Sequence, residues 1–307
     1  MPQKKVSFKH YLEYAFFAAL IAMIKYSPAR IIPAEIKVVI FLLKKASRKH
    51  SRQIDHNLAN AFPTATPGSL EELKKNIYNH FGNVFVEIIR TFARRNPQAI
   101  LDRTRIIHPE VLEQALQKKR GLIIFSAHFG NWEWLPLILH TRLAKDIYSI
   151  ARPIDNPLIE KKVRKFRETA GAKIIYKHGS LRTILTRLSR NEIICLLIDQ
   201  NTVSREGIFV DFFAKKASAI TTVSQLYLKK NIPVVPVFLH YEGQEIVLEV
   251  LPEIDYSGRA NENDDLLALT QQMTGMIETQ IRKFPEQWLW FHDRWKTKPQ
   301  GATHENQ

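Results

Sequence analysis

The 307-residue chain is short of cysteine, of acidic residues and of long hydrophobic runs. Its one cysteine is Cys195, which excludes an intramolecular disulfide and a cysteine-ligated zinc site and suits a reducing compartment. Against 45 Lys and Arg there are only 30 Asp and Glu, a net charge of +15. So basic a chain calls for a polyanionic partner: nucleic acid, an anionic membrane surface, or a phosphorylated or acidic substrate. The most apolar N-terminal stretch, YAFFAALIAMI from Tyr14 to Ile24, is closed off by Glu13 and Lys25. It falls short of the roughly 17–20 apolar residues that a span needs. No secretory signal peptide is evident, because Pro28 and Arg30 stand where a small-residue cleavage site would be. G-x-x-x-x-G-K-[ST] and G-x-G-x-x-G are both missing, so nucleotide binding is unsupported, and with no G-x-S-x-G a serine-hydrolase reading of Ser126 fails. What remains is globular: 45% apolar and 24% charged residues, neither disordered nor a polytopic membrane protein.

The N-terminus asks a membrane question. If Tyr11, Leu12 and Glu13 are tolerated near headgroups, the helix extends over Phe8–Tyr26; otherwise it lies in the interface with its apolar side down. Ile36–Leu43 is a second apolar run, followed by KKASRKHSR with Lys44, Lys45, Arg48, Lys49 and Arg52 and no acid. Such a cluster is drawn to anionic lipid by about 1 kcal/mol per charge. The competing reading is a core helix followed by a solvated basic face. We expect residues 1–45 to form N-terminal membrane-anchor helices and 46–307 a single α/β domain.

Residues up to 120 read mostly as helix. Ser69 and Glu72 stand at capping-box spacing ahead of a periodic stretch through Ile88–Ile89, and Pro109 opens a helix over His108–Lys119. From Gly121 the pattern alternates. Strands are expected at Gly121–Ala127, Ile147–Ala151, Ala172–Tyr176, Glu192–Ile198, Val234–His240 and Glu245–Leu251. Helices are expected at Asn131–Leu143, Pro157–Thr169, Ser180–Ser189, Ala219–Lys230 and Asn263–Lys283. This alternation predicts an α/β fold with a mixed, largely parallel central sheet flanked by helices.

The chemistry-bearing string is FSAHFGNWEW, residues 125–134. A buried strand ends, His128 follows at once, Gly130 permits a tight turn and Asn131 can cap the next helix. In a continuous helix His128 and Glu133 would diverge by about 140°. Set in the turn before the helix, His128 can meet Glu133. A carboxylate on one imidazole nitrogen fixes the tautomer and leaves the other to take a proton from a hydroxyl. The alternative is a satisfied structural histidine beside a surface glutamate.

SAHFGNWEW resembles the H-x-x-x-x-[DE] block of glycerolipid-type acyltransferases, and its glutamate form resembles the lipid A biosynthesis (late lauroyl or myristoyl) acyltransferases. Four further blocks match in order: ARPIDNPLIEKKVRKFRETAG, LLIDQN, GIFVDFFAKKASAITT and PEQWLWFHDRWKTKP, together spanning about residues 120–300. The resemblance implies acyl transfer from an acyl carrier protein thioester to a hydroxyl of a membrane glycolipid, without metal or cofactor. It implies a bacterial inner-membrane location with the catalytic domain on the cytoplasmic face. His128 would be the general base, Glu133 its orienter, and Arg167, Asp199 and Arg152 substrate-binding residues. The patch Lys161, Lys162, Arg164, Lys165 and Arg167 suits an acidic carrier or a phosphorylated lipid, or is an ordinary solvated face. Backbone amides near Gly130 are candidate oxyanion donors.

Cys195 reads as a buried structural residue, and His292 with Asp293 as packing under the sheet edge in a Trp-rich segment, with lipid-facing aromatics as the alternative. His140, His178 and His240 have no ligand spacing, so a metal is unsupported. Two other functions compete: transfer to a lysophospholipid or other lipid acceptor, and a non-catalytic basic membrane-binding module. No nucleic-acid motif is recognisable.

Overall fold

The computed structural model describes residues 6–46, 48–94, 96–177, 179–258 and 261–299. His178, the side chain of Arg48 and the first five residues of the expected anchor lie outside them. Four helices open the chain: α1 Phe8–Tyr26, α2 Ile32–Ala46, α3 Arg48–Ala61 and α4 Pro67–Arg94. A single turn, α5 Gln98–Leu101, leads to β1 Thr104–Ile107 and α6 Glu110–Gln117. The alternating region follows as β2 Leu122–Ser126, α7 Leu135–Leu143, β3 Ile147–Ala151, α8 Pro157–Thr169, β4 Ala172–Tyr176, α9 Ser180–Leu188 and β5 Ile193–Leu197. A hairpin, β6 Gly207–Phe212 and β7 Lys215–Ile220, precedes α10 Thr222–Lys230, β8 Val234–Glu242, β9 Glu245–Val250 and α11 Glu262–Lys283.

Seven strands form one sheet in the order β1-β9-β8-β2-β5-β3-β4. The five from β8 to β4 run parallel; β9 turns back antiparallel on β8, and β1 lies parallel to β9. The mixed, largely parallel sheet is as expected. Both of its faces are covered, so its central strands are apolar without alternation. In β2, Ile123 and Phe125 face α3, α4, α10 and α11, while Leu122 and Ile124 face α6, α7 and α8. The helix after β2 begins later than expected: Trp132–Trp134 form a 3-10 turn before α7.

Other differences have local causes. The strand β1 and the β6–β7 hairpin were not expected. β1 has only four residues, one of them an exposed arginine, and the hairpin carries lysines at its turn. The cap of α4 is Thr66, whose Oγ1 accepts the Ser69 N–H at 3.2 Å; Ser69 already lies inside the first turn, behind Pro67. That order suits proline, whose fixed φ and missing N–H fit the first helical position.

The N-terminal helices pack on α4 through Ile24, Val39, Val86 and Ile89. At the same junction the Arg90 guanidinium donates to Glu35 (Nε at 3.1 Å, Nη2 at 2.8 Å) and to Ser27 Oγ at 2.7 Å, all buried. The outer face of α1 is left open: Phe8, Tyr11, Leu12 and Phe16 are each more than half exposed. Among the described residues no helix is long and apolar enough to cross a membrane.

Candidate active site

The register of the sheet assembles the centre of the site. β2 and β5 are adjacent and parallel, with Ser126 opposite Leu197. Two residues beyond those partners stand His128 and Asp199, side by side at the carboxyl edge where open α/β sheets place their sites. Asp199 Oδ1 lies 2.9 Å from His128 Nδ1, and Asp199 Oδ2 accepts the His128 backbone N–H at 3.0 Å and the Trp288 indole N–H at 2.8 Å. Burial works to raise the Asp199 carboxyl, but the facing imidazole and these three donors outweigh it and hold the group below its ordinary value. A carboxylate can only accept, so the His128 proton sits on Nδ1 and Nε2 keeps a lone pair.

Glu133, expected beside the imidazole, is elsewhere. Its carboxylate is gripped by Arg167, with Nε to Oε2 at 2.9 Å and Nη2 to Oε1 at 2.5 Å. The 3-10 turn aims Glu133 toward α8, while the place at Nδ1 is taken by Asp199 from the neighbouring strand. The observed imidazole partner therefore corrects the expected one. Asp199 had been expected to bind substrate; it is almost wholly buried behind the ring. Arg152, at the end of β3, is exposed and has no ion-pair partner among the described residues. The edge of the Trp132 ring lies against His128, with centroids 5.1 Å apart.

The Trp-rich segment does more than pack. Phe129 and Trp288 form an antiparallel bridge; Leu289 N–H donates to His128 O at 3.0 Å and Gly130 N–H to Gln287 O at 2.9 Å. The same segment grips the loop after β5. His292 Nε2 accepts the Asn201 N–H at 2.9 Å, and Thr297 exchanges bonds with the Asn201 side chain at 3.0 and 3.2 Å. Residues 287–297 thus fasten the His128 turn and the Asp199 loop to one another. Behind the turn, Glu87 of α4 accepts from Asn131 and Trp134, each at 3.1 Å, and from the Tyr241 hydroxyl. Gly130 fits here because it lacks Cβ: its φ is +58°, and a methyl would stand 2.1 Å from the Leu239 carbonyl oxygen.

In front of the dyad lies a cavity of about 490 Å³. Its lining brings together His128, Glu133, Arg152, Arg167, Lys177 and Gln200 with the apolar Leu135, Ile174, Ile184 and Leu197. A lining that joins cationic and apolar side chains fits an amphipathic ligand with an anionic head. Cys195 also lines it, but burial pushes its thiol up to about 12, so it is no nucleophile. A larger, shallower depression around Tyr148, Arg164, Tyr176 and Arg187 lacks the dyad.

Comparison with known proteins agrees with this chemistry. Residues 1–297 match the family described as bacterial lipid A biosynthesis acyltransferase. The chain is similar to a lipid A biosynthesis acyltransferase of Haemophilus influenzae, 23% identical over 86% of this chain and 81% of that protein. It is similar to the lipid A biosynthesis lauroyltransferase of Escherichia coli, 26% identical over 83% and 82% respectively. It is also similar to a phosphatidylinositol mannoside acyltransferase of Mycobacterium tuberculosis, 24% identical over 79% and 76%.

Proposed function

The chain belongs to the bacterial lipid A biosynthesis acyltransferase family, and we propose that it moves a fatty acyl chain from an acyl carrier protein thioester to a hydroxyl of a lipid A precursor. The observation that carries this reading is one imidazole with Nδ1 held by a buried carboxylate and Nε2 facing a cavity lined by cationic and apolar side chains. His128 Nε2 takes the proton of the acceptor hydroxyl, whose oxygen attacks the thioester carbonyl. Asp199 fixes the ring and stabilises the imidazolium that forms. Arg152 and Lys177 receive the acidic head of the acceptor. Glu133 keeps Arg167 in place on the cavity wall.

The partners follow from charge and exposure. Lys161, Lys162 and Lys165 are exposed on α8, close to the cavity, and offer an acidic carrier protein a landing site. We read α1 as an interfacial helix that rests Phe8, Tyr11, Leu12 and Phe16 among lipid tails, with Lys44, Lys45, Lys49 and Arg52 against anionic headgroups. On this reading the enzyme works at the cytoplasmic face of the bacterial inner membrane, where carrier protein and precursor would meet. Its similarity to phosphatidylinositol mannoside acyltransferases favours, as second reading, another glycolipid as acceptor with the same mechanism.

The test is transfer from a panel of acyl carrier protein thioesters to a tetra-acylated lipid A precursor, with His128→Ala in parallel. Transfer by the wild type that vanishes in the variant supports the reading. Transfer only to a phosphatidylinositol mannoside or a lysophospholipid moves the enzyme to another acceptor. Full activity of His128→Ala overturns the mechanism. Vesicle flotation of the chain without residues 1–26 checks the anchor; unchanged binding to anionic vesicles would transfer that role to the basic run.

A further inference from the structure

Attack on a thioester carbonyl puts negative charge on its oxygen, and a donor must meet it. The turn after β2 is the place to look, and the amides of His128, Phe129 and Gly130 are engaged. His128 N–H donates to Asp199 Oδ2 at 3.0 Å, Phe129 N–H to Ala127 O at 2.8 Å and Gly130 N–H to Gln287 O at 2.9 Å. These three amides are therefore not open to a substrate oxygen.

Gln200 is differently placed. It directly follows Asp199 and lines the cavity, half-buried, with its amide nitrogen 3.4 Å from His128 Nε2. Because Nε2 holds a lone pair, the end of the carboxamide that faces it is the NH2 group. The contact is longer than the usual 2.7–3.2 Å of an N–H hydrogen bond, so it yields readily. An acceptor hydroxyl must displace it to reach the base, which leaves an N–H donor beside the carbonyl under attack. The backbone on either side is fixed: Ile198 N–H donates to Ser126 O at 3.1 Å, and Asn201 N–H to His292 at 2.9 Å. The backbone that carries the carboxamide therefore stays in place when the side chain leaves Nε2.

We propose that the Gln200 carboxamide is a catalytic residue that donates a hydrogen bond to the oxyanion of the tetrahedral intermediate. The proposal rests on the reading of His128 as the base. The acceptor oxygen bonds to the carbonyl carbon while its proton passes to His128 Nε2. The carbonyl π pair moves onto oxygen, which accepts the Gln200 N–H. On collapse the C–S bond breaks, its pair leaves on sulfur, and the imidazolium protonates the thiolate, giving ester and thiol.

The experiment uses full-length protein with lauroyl acyl carrier protein, and reads both transfer to tetra-acylated lipid A precursor and slow thioester hydrolysis. Hydrolysis passes through the same oxyanion with water as acceptor, so it reports on Gln200 whatever the natural acceptor is. Gln200→Ala is expected to lower kcat about 10²–10³-fold, the usual loss for one oxyanion donor, with KM within threefold of wild type. Gln200→Glu, equal in size but without N–H, is expected to lose at least as much while keeping the melting temperature. Gln200→Ala with kcat within threefold of wild type, beside an inactive His128→Ala, overturns this proposal alone. An active His128→Ala overturns the base assignment and this proposal together.

Discussion

Replacing Asp199 with asparagine tests the dyad with little change of shape. Asp199 Oδ2 accepts from two groups that can only donate, the His128 backbone N–H at 3.0 Å and the Trp288 indole at 2.8 Å. An asparagine seated there must keep its carbonyl oxygen on those donors, which turns its NH2 toward His128 Nδ1. Nδ1 must then accept, so the ring proton moves to Nε2 and the lone pair facing the cavity is lost. The same wrong-tautomer exchange in a serine-protease triad lowers kcat about 10⁴-fold. At 1.36 kcal/mol per decade that is about 5.4 kcal/mol of barrier. Single-turnover acyl transfer is the assay, with KM measured alongside; KM should change little, because Asp199 lies behind the ring and out of reach of substrate. Asp199→Asn with more than a tenth of wild-type kcat refutes the tautomer argument. Should Glu133→Gln instead be the inactive variant, the orienting carboxylate is Glu133 after all.

Three other outcomes are expected. Glu133→Gln leaves Arg167, about a quarter exposed, without its charged partner; denaturant titration should show a loss of about 1–3 kcal/mol, and kinetics a larger change in KM than in kcat. Burial lowers His80 to about 4, with the Gly130 carbonyl and Glu87 partly opposing. The unfolded chain takes up that proton first as pH falls, so the stability in question is complete above about pH 6.5 and is lost toward pH 4. The loss at pH 5 is about 2 kcal/mol, and comparing unfolding at pH 7.5 and pH 5 for wild type and His80→Gln should show it only in the former. Gly130→Ala forces a left-handed residue, which costs about 1–2 kcal/mol, and adds a methyl 2.1 Å from the Leu239 oxygen. It should fail to give folded protein, whereas Gly179→Ala, at φ +68° with open space around it, should lose only about 1–2 kcal/mol; equal melting temperatures would discount the clash.

The legible parts of the sequence were those whose signal is local. β3, α8 and β4 stand over the expected residues because apolar runs, Pro157 at the first helical position behind Asn156, whose side chain accepts the Leu158 and Ile159 N–H groups, and the break near Gly171 mark each boundary. α1 likewise covers Phe8–Tyr26, flanked by Ser7 and Ser27. His128 could be picked out because glycine and asparagine follow a buried strand. Its partner could not, because Asp199 comes 71 positions later and meets it only through the pairing of β2 with β5. Glu133 was closer in sequence and looked the better choice. The sign of Asp199 was nevertheless present: like His128, it stands two residues past an apolar strand. His292 and Asp293 read as packing for a similar reason, since the hydrogen bonds of their segment go to loops remote in sequence.

The bridge between Phe129 and Trp288 also sets a clock on the making of the enzyme. A ribosome adding 5–20 residues per second needs about 8–30 s to pass from one partner to the other. Throughout that interval the histidine turn is already synthesised, yet the indole that steadies its carboxylate and the strand that pins its carbonyl do not exist. The nascent protein can pack its first helices and begin to lay down its sheet before the site is fastened together. A chain stopped at residue 286 would keep the nine strands of the described residues and lack the indole that holds Asp199.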